Sequence, residues 1–507
     1  MTMNIDAGSG PALGRAAPGV WQTSLPSWPA IAVLFIAAVA LRHVVAANTD
    51  VSWLLIAGER WLDGQRLYSE ILETNPPMAV LVYIPGILIA RALGLSVEIV
   101  VDGLLFAAIA VSVAITARIL KNSSALAADQ RWSFAVLAVA VLAILPVQAF
   151  GQREHIAVIE LMPALAVLAL RMKRETPPSW AIAIAGLGLG LALSFKPHFA
   201  IPVVCCFGVA ALELKSWRIF LVPENFITAA IIGCYGACVV LLFPEYFTVI
   251  APLLRDVYTI GVPLGRMLEE PVVPLWGIAL IGAVLQKRGK AFDSTHLLLI
   301  AASLGFALVF FLQRKGWPYH SYPMMVFALL ALGWTRSRGD NVTDLDRKWL
   351  AGAAGALAAL FVLSMIWFNY AVDARPLQAA VARLGPHPTI LAISGNAGIA
   401  HPLTRAVGGV WASRQQVLLV ASYDRYFRET GSPDRETLAM LDGYVARERQ
   451  WLIEDFRLYR PTIVLVDNFT GDWGSWMRAS PELVDLMKGY RLSETVMRVD
   501  IYVRRVD

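Results

Sequence analysis

Residues 48–77 have the sequence NTDVSWLLIAGERWLDGQRLYSEILETNPP and directly follow the apolar run of residues 31–47. The segment opens with Asp50 in a polar turn, continues as an amphipathic stretch and ends in the rigid Pro76-Pro77. The Asp50 carboxylate is therefore predicted to lie at the end of the first hydrophobic span, where the membrane meets water. The other acids of the segment are expected to be ordinary acids of an amphipathic surface helix: Glu59, Asp63, Glu70 and Glu73.

The composition is that of a polytopic membrane protein. Of the 507 residues, 57% are hydrophobic and only 16% are charged, which is too apolar for a soluble protein of this length. The net charge of +5 lies mainly in short basic linkers, which indicates a role in membrane orientation and argues against nucleic-acid binding. Residues 1–27 lack the apolar core of a signal peptide and are predicted to be a disordered cytoplasmic tail. The cysteines all lie in apolar runs and are expected to be unpaired packing residues: Cys205, Cys206, Cys234 and Cys238.

About eleven apolar runs are long enough to cross a bilayer core of about 30 Å as helices. They are residues 29–47, 98–120, 132–149, 156–171, 179–195, 198–214, 225–243, 272–285, 295–312, 321–334 and 349–369. Residues 78–95 are a further candidate. If this run crosses, the linkers at Lys121 and at residues 171–174 face outward, against the positive-inside tendency. If it is a re-entrant or interfacial helix, every basic linker lies inside, and this arrangement is preferred.

The preferred topology places several loops and the C-terminal region on the outer face. The outer loops are residues 48–97, 150–155, 196–197, 244–271 and 313–320. The C-terminal region has β-branched runs at 389–394 and 462–467, helical patterns at 433–459 and 481–488, and alternating strands at 490–505. The sequence thus predicts a tail at 1–27, an α-helical membrane domain at 28–370 and an extracytoplasmic α/β domain at 371–507.

Polar side chains interrupt the apolar sequence at two further places. Gln152, Arg153, Glu154 and His155 follow one another between two apolar runs, and uncompensated burial of so many polar groups is costly. They are therefore expected to line a wet cavity, with His155 more often a hydrogen-bonded partner than a proton carrier. Lys196 lies between two spans and is either a snorkelling interface lysine or a phosphate ligand.

The loop of residues 313–320, QRKGWPYH, concentrates cations and rings on the outer face. Arg314 and Lys315 suit a phosphate group. Trp317, Tyr319 and His320 suit the membrane interface or stacking on a sugar ring. Binding of a phosphate or sugar and anchoring at lipid headgroups are equal alternatives here.

The order of features in residues 48–77 resembles the first external loop of the GT-C glycosyltransferases. The shared features are an acid at the end of the first span, an amphipathic stretch with Gly64 and Tyr68, and a Pro-Pro before the next apolar run. The layout of long and short outer loops is similar over about the first 270 residues. These membrane enzymes take a sugar from a polyprenyl phosphate carrier, and they include protein O-mannosyltransferases, lipid A aminoarabinose transferases and oligosaccharyltransferase catalytic subunits.

The resemblance implies an inverting glycosyltransferase of the inner membrane with a periplasmic C-terminal domain and a polyprenyl-phosphate sugar as donor. It assigns Asp50 as the base that deprotonates the acceptor, with Glu154 matching an acid of the second outer loop in some branches. Membrane lipids are the other expected partners. The candidates for binding the donor phosphate or sugar are Arg153, His155, Lys196, Arg314, Lys315, Trp317, Tyr319 and His320. A reaction without a bound metal ion is favoured, although Asp50 and Glu154 are possible ligands of a divalent ion.

Two other classes of membrane protein remain as alternatives. A transporter or flippase for a lipid-linked glycan also needs an outward cavity with cations, but such proteins commonly have paired halves, and the chain shows no repeat. An O-antigen ligase or polymerase is expected to have its long outer loop late in the chain, whereas here the long acid-bearing loop comes first. The sequence specifies neither the sugar nor the acceptor.

Overall fold

The computed structural model describes residues 28–126, 131–258, 261–285, 292–334, 344–431 and 434–505. The predicted tail at residues 1–27 and the basic linker at residues 287–290 lie outside the described residues.

The first hydrophobic helix is followed by a second helix that turns sharply away from it. Helix α1 is Trp28–Val44 and α2 is Thr49–Leu62, and the two are inclined by 81°. The Asn48 side chain accepts a hydrogen bond of 2.9 Å from the Val51 N–H and so caps α2. Asp50 lies in the first turn of α2, where the helix dipole favours a negative charge. Beyond the helix, Gly64 adopts a φ of 93°, a left-handed conformation that favours glycine.

The twelfth candidate run forms two short helices. They are α3 (Met78–Leu81) and α4 (Ile84–Leu93), and the long α5 (Val97–Leu120) follows. The combined stretch Met78–Leu93 is shorter than the helices that are long enough to cross a membrane. The predicted span Arg131–Ile144 is shorter still, so the re-entrant or interfacial helix stays a prediction.

Helices occupy each of the other predicted spans. They are α6 (Arg131–Val139), extended by the π-helical turn Ala140–Ile144, then α7 (Arg153–Met172), α8 (Ser179–Phe195), α9 (Ala200–Leu214), α10 (Pro223–Leu242), α13 (Val272–Leu285), α14 (Ser294–Gln313), α15 (Tyr322–Gly333) and α16 (Asp344–Trp367). The short helices α11 (Ala251–Leu253) and α12 (Leu264–Glu269) lie in the predicted outer loop of residues 244–271. Among the described residues, five helices are long and apolar enough to cross a membrane. The number is six if the bent pair α1 and α2 is counted as one span. The other apolar helices are shorter, so the count of eleven spans stays a prediction.

The outer surface of the helical domain is apolar, as expected for a lipid-facing surface. Leu212 of α9 and Leu241 of α10 are 80% and 77% exposed. The cysteines are unpaired, as predicted. Cys206 is buried, whereas Cys234 and Cys238 are exposed on α10.

The C-terminal region is an α/β domain built on a mixed sheet. Its elements are α17 (Arg375–Ala382), β1 (Thr389–Ile393), α18 (His401–Ala406), β2 (Val410–Trp411), α19 (Leu419–Thr430), α20 (Arg435–Tyr459), β3 (Ile463–Asp467), α21 (Trp473–Arg478), α22 (Pro481–Met487), β4 (Tyr490–Val496) and β5 (Val499–Arg504). The strand order is β2-β1-β3-β5-β4, with β1 parallel to β2 and β3, and β5 antiparallel to β3 and β4. Strand β3 is buried along its whole length, so the sheet carries the core of this domain.

Helix α2 connects the membrane domain to the C-terminal domain. Arg60 of α2 donates a hydrogen bond of 2.5 Å to the Ser413 carbonyl. Glu59 forms an ion pair of 2.6 Å with Arg405 of α18, so this acid is a docking residue and not the solvated surface acid that the sequence predicts. The helix that carries Asp50 is thereby fixed against the C-terminal domain.

Candidate functional site

A cavity of about 780 Å³ lies where the outer loops meet the C-terminal domain. Its wall contains polar and aromatic residues from separate loops of the membrane domain, including Asp50, Glu73, Arg153, Lys196, Tyr258, Trp317 and Tyr319. The C-terminal domain closes the other side with Gln415, Gln416, Val417, Leu419, Val420, Glu448 and Trp451. Candidate residues that are far apart in the sequence therefore share one wall.

Asp50 is held by donors from both domains. Its Oδ2 accepts a hydrogen bond of 3.2 Å from Gln152 Nε2, and its Oδ1 accepts one of 3.1 Å from Gln416 Nε2. Arg153 lies 3.5 Å from Oδ2, and its side chain is only 3% exposed, against 23% for Asp50. The carboxylate is thus fixed in orientation while one edge of it remains accessible from the cavity.

Lys196, a cation of the cavity wall, belongs to a buried cluster of charged side chains. Lys196 Nζ lies 2.5 Å from Glu154 Oε1 and 3.3 Å from His320 Nε2, and both partners are about 1% exposed. Glu154 is therefore the counter-ion of Lys196 in this geometry, and it does not line the cavity. Lys196 does line the cavity, and its ammonium group lies 5.8 Å from the ring centroid of Tyr319.

The structure does not bring all the predicted binding residues to the cavity. His155 accepts a hydrogen bond of 3.0 Å from the Gly151 N–H and lies 2.7 Å from the Leu142 carbonyl through its other nitrogen. It stabilises the turn before α7 and does not line the cavity. Arg314 is exposed, adopts a φ of 50° and donates a hydrogen bond of 2.9 Å to the Val262 carbonyl.

Lys315 lies between the two domains, outside the wall of the cavity. Its ammonium group donates to the Tyr258 carbonyl and lies 3.9 Å from the ring centroid of Tyr258. It also donates a hydrogen bond of 3.1 Å to the hydroxyl of Tyr423 in α19. Partial burial lowers the pKa of Lys315 to about 8. Its contacts are those of a residue that docks α19 onto the membrane domain.

The prediction that Glu73 is an acid on the surface of an amphipathic helix is wrong. Glu73 is 2% exposed and not a surface acid. Trp53 Nε1 donates a hydrogen bond of 2.5 Å to its Oε2, and the Asn75 N–H donates one of 2.7 Å to its Oε1. Glu73 fixes the turn before Pro76 and contributes to the wall of the cavity.

No sequence pattern predicts the residues that the C-terminal domain contributes to the cavity. Gln416 lies in an irregular segment before α19, and Glu448 lies in the middle of α20. Glu448 accepts hydrogen bonds of 2.8 Å from the N–H groups of Val420 and Ala421 at the start of α19. Burial nevertheless raises the pKa of Glu448 to about 7. In the sequence, Glu448 cannot be distinguished from the surface acids of the same helix, because its burial depends on tertiary contacts.

Asp50 and Glu154, the two carboxylates that could hold a divalent metal ion, are both engaged by other side chains in this geometry. Glu154 is engaged by Lys196, and Asp50 by Arg153 and two amide donors. Within the described ranges, no group of three His, Cys, Asp or Glu side chains is arranged to hold a metal ion. The donors around Asp50 and Glu154 are those of anion-binding and hydrogen-bonding sites.

This fold, a helical membrane domain followed by a C-terminal α/β domain, is similar to that of solved structures of ArnT. The crystal structure of ArnT from Cupriavidus metallidurans bound to undecaprenyl phosphate is similar over 93% of this chain and 97% of that chain, with a TM-score of 0.54 and 12% sequence identity. The crystal structure of ArnT in the apo state gives a TM-score of 0.53 with the same coverage and identity. Neither a protein-family model nor a curated protein sequence matches this chain.

Proposed function

We propose that this protein is an inverting glycosyltransferase of the inner membrane that transfers a sugar from a polyprenyl-phosphate donor to an acceptor of the cell envelope. The observation that carries the proposal is that the Asp50 carboxylate and the cations Arg153 and Lys196 share the wall of one cavity at the outer end of the membrane helices. A base and phosphate-binding cations are the groups that transfer from a phosphate-linked sugar requires. The undecaprenyl phosphate bound to the structurally similar ArnT supports the choice of carrier.

The proposed reaction is a single displacement. Asp50 takes the proton of an acceptor hydroxyl as its oxygen forms the new bond to the anomeric carbon. The bond from that carbon to the phosphate oxygen breaks, and the electron pair leaves with the polyprenyl phosphate. Positive charge beside the phosphate stabilises the developing negative charge in the transition state.

Arg153 and Lys196 are the proposed phosphate ligands. Both line the cavity, and Arg153 Nε has no hydrogen-bond partner among the described residues although it is buried. A guanidinium group presents several donors in one plane and suits a phosphate. This assignment replaces Arg314 and Lys315, neither of which lines the cavity.

The proposal also orients the chain. The outer loops and the C-terminal domain lie in the periplasm, where lipid-linked sugars are used, and the basic linkers lie in the cytoplasm. The boundaries 28–370 for the catalytic membrane domain and 371–507 for the periplasmic domain are retained as part of this proposal.

The test is a transfer assay with purified full-length protein in nanodiscs. The protein is incubated with a panel of undecaprenyl-phosphate-linked sugars and an envelope glycan extract, and free undecaprenyl phosphate and glycosylated product are measured by mass spectrometry. We expect both products to form from at least one donor. The same protein in liposomes serves to test the flippase alternative: movement of a lipid-linked sugar across the bilayer without sugar release would overturn the proposal.

A further inference from the structure

A second and larger cavity, of about 1430 Å³, lies on the other side of Asp50. It opens between the membrane domain and the carboxyl ends of the parallel strands β1 and β3. From β1 the chain continues to β2 on one side of the sheet, and from β3 it continues to β4 and β5 on the other. The crevice between the loops that follow β1 and β3 is thus a topological switch point, the place where open α/β sheets bind ligands.

The loops that form this crevice are held by specific contacts. Asp467, at the end of β3, is fully buried and accepts hydrogen bonds of 2.7 Å from Ser394 Oγ and 3.0 Å from the Thr470 N–H. Gly395 lies so close to its neighbours that a Cβ atom there would be 1.8 Å from Ser422 Oγ and 2.5 Å from Trp473. The crevice is therefore built before any ligand arrives, which lowers the entropic cost of binding.

The wall of the crevice combines planar polar groups with aromatic rings. Arg425 and Glu429 project from α19 and pair at 2.8 Å, and Asn396 and Thr470 lie on the two loops. Trp317 and Trp473 provide rings on opposite sides, from the membrane domain and from α21. Aromatic faces pack on the C–H surface of a sugar ring, while carboxylate, guanidinium and amide groups bond its hydroxyls.

The shape and position of the crevice disfavour two other kinds of acceptor. Peptides commonly bind by adding a strand along a sheet edge, whereas this cavity lies at strand ends. A lipid tail requires an apolar groove, whereas this wall carries charged and amide side chains.

We infer that this second cavity is the acceptor site and that it binds a carbohydrate. The inference rests on the proposed function and names its acceptor class. Asp50, Tyr319 and Gln416 line both cavities, so the carboxylate lies in the partition between them. A sugar hydroxyl entering from the crevice gives its proton to Asp50 and attacks the anomeric carbon of a donor whose phosphate is held beside Arg153 and Lys196. The new glycosidic bond forms as the carbon–phosphate oxygen bond breaks.

The test measures saccharide binding to the full-length protein in nanodiscs by saturation-transfer NMR, with a panel of neutral and acidic disaccharides and a serine- and threonine-containing peptide. Arg425→Ala should weaken saccharide binding about tenfold, the loss expected for a hydrogen bond to a charged group. Arg428→Ala is the matched control, since Arg428 is also 42% exposed on α19 and also ion-paired but does not line the crevice. It should bind saccharides as the wild type does.

A cavity-filling variant gives an independent result. Ala397→Trp should abolish saccharide binding and leave the binding of undecaprenyl phosphate, titrated in the same samples, unchanged. Wild-type protein that binds undecaprenyl phosphate but no disaccharide would overturn the acceptor assignment alone, as would binding of the peptide in place of the saccharides. Equal losses in Arg425→Ala and Arg428→Ala would also overturn it. Absence of undecaprenyl phosphate binding in the wild type would instead contradict the proposed function.

Discussion

Asp50 receives its donors from two separate parts of the chain. Gln152 precedes α7, Arg153 begins it, and Gln416 belongs to the C-terminal domain. A catalytic carboxylate must be held in one orientation relative to the acceptor, because a base acts only within hydrogen-bond reach of the proton that it removes. The donors keep the side chain in place without closing the cavity on either side.

The first prediction concerns this carboxylate. Asp50→Asn keeps the size of the side chain but cannot take a proton, so the transfer rate should fall by about 10²–10⁴-fold. Asp63→Asn is the matched control, because Asp63 ends the same helix in an exposed ion pair with Arg91. Product formation by mass spectrometry, with folding checked by size-exclusion chromatography, measures both. Near-wild-type transfer by Asp50→Asn would exclude this residue as the base.

The second prediction concerns the phosphate. Removing Lys196 alone would leave Glu154 buried and unpaired, which destabilises a protein strongly. The double variant Lys196→Met with Glu154→Gln removes both charges and should fold, yet bind undecaprenyl phosphate at least about tenfold more weakly than wild type. The measurement is titration of undecaprenyl phosphate into nanodiscs.

Arg314→Ala serves as the control in the same titration. Its side chain is exposed and bonded to a loop carbonyl, so we expect little change in affinity. From the sequence, Arg314 and Lys315 are candidate phosphate ligands, with anchoring at lipid headgroups as an equal alternative. A large loss in Arg314→Ala with none in the Lys196 double variant would restore that assignment.

Helices α19 and α20 form a unit that the cavity depends on. Glu448 of α20 accepts two hydrogen bonds from the N-terminal N–H groups of α19, and the segment just before α19 carries Gln416. The stability of this pair should therefore depend on pH. Because burial raises the pKa of Glu448 from 4.5 to about 7, its protonated form is favoured by folding.

The third prediction follows from that shift. The stabilisation is fully present below pH 4.5 and is lost as the pH rises through about 7, with an upper limit of about 3 kcal/mol. The apparent Tm should therefore fall by several degrees between pH 5 and pH 7.5, as measured by differential scanning fluorimetry. Glu448→Gln should flatten this dependence, whereas Glu454→Gln, at an exposed position of α20, should keep it. An unchanged slope in Glu448→Gln would show that another group titrates.

Elements with a local signature could be predicted from the sequence, and elements defined by tertiary contacts could not. The runs ILAI in β1 and IVLVD in β3 are β-branched and buried, and α20 has a clear helical pattern, so all three were predicted. Glu73 was misjudged because its burial depends on a hydrogen bond from Trp53, twenty residues earlier. The role of the C-terminal domain in the cavity was also missed, since Gln416 reaches Asp50 only through the fold.

The whole molecule constrains its own topology. Asp50, Arg153, Lys196 and Trp317 line one cavity, so the loops that carry them lie on the same side of the membrane. The number of crossings between Asp50 and Arg153 must then be even. If α5 and α6 both cross, as the sequence predicts, no crossing is left for Met78–Leu93. The geometry of the cavity thus favours the arrangement that the positive-inside tendency selects from the sequence.

The fourth prediction tests this arrangement by cysteine labelling, after replacement of the four native cysteines by alanine. Asp373→Cys, exposed after α16, should react with an impermeant maleimide applied from outside, and Asn122→Cys, exposed after α5, should react only after the membrane is disrupted. Arg66→Cys, in the first outer loop, is the reference that labels from outside in either arrangement. If Met78–Leu93 crossed, every later segment would change sides, so Asn122→Cys would label from outside and Asp373→Cys would not. That exchange of reactivity would also separate Asp50 from Arg153 and so contradict the shared cavity.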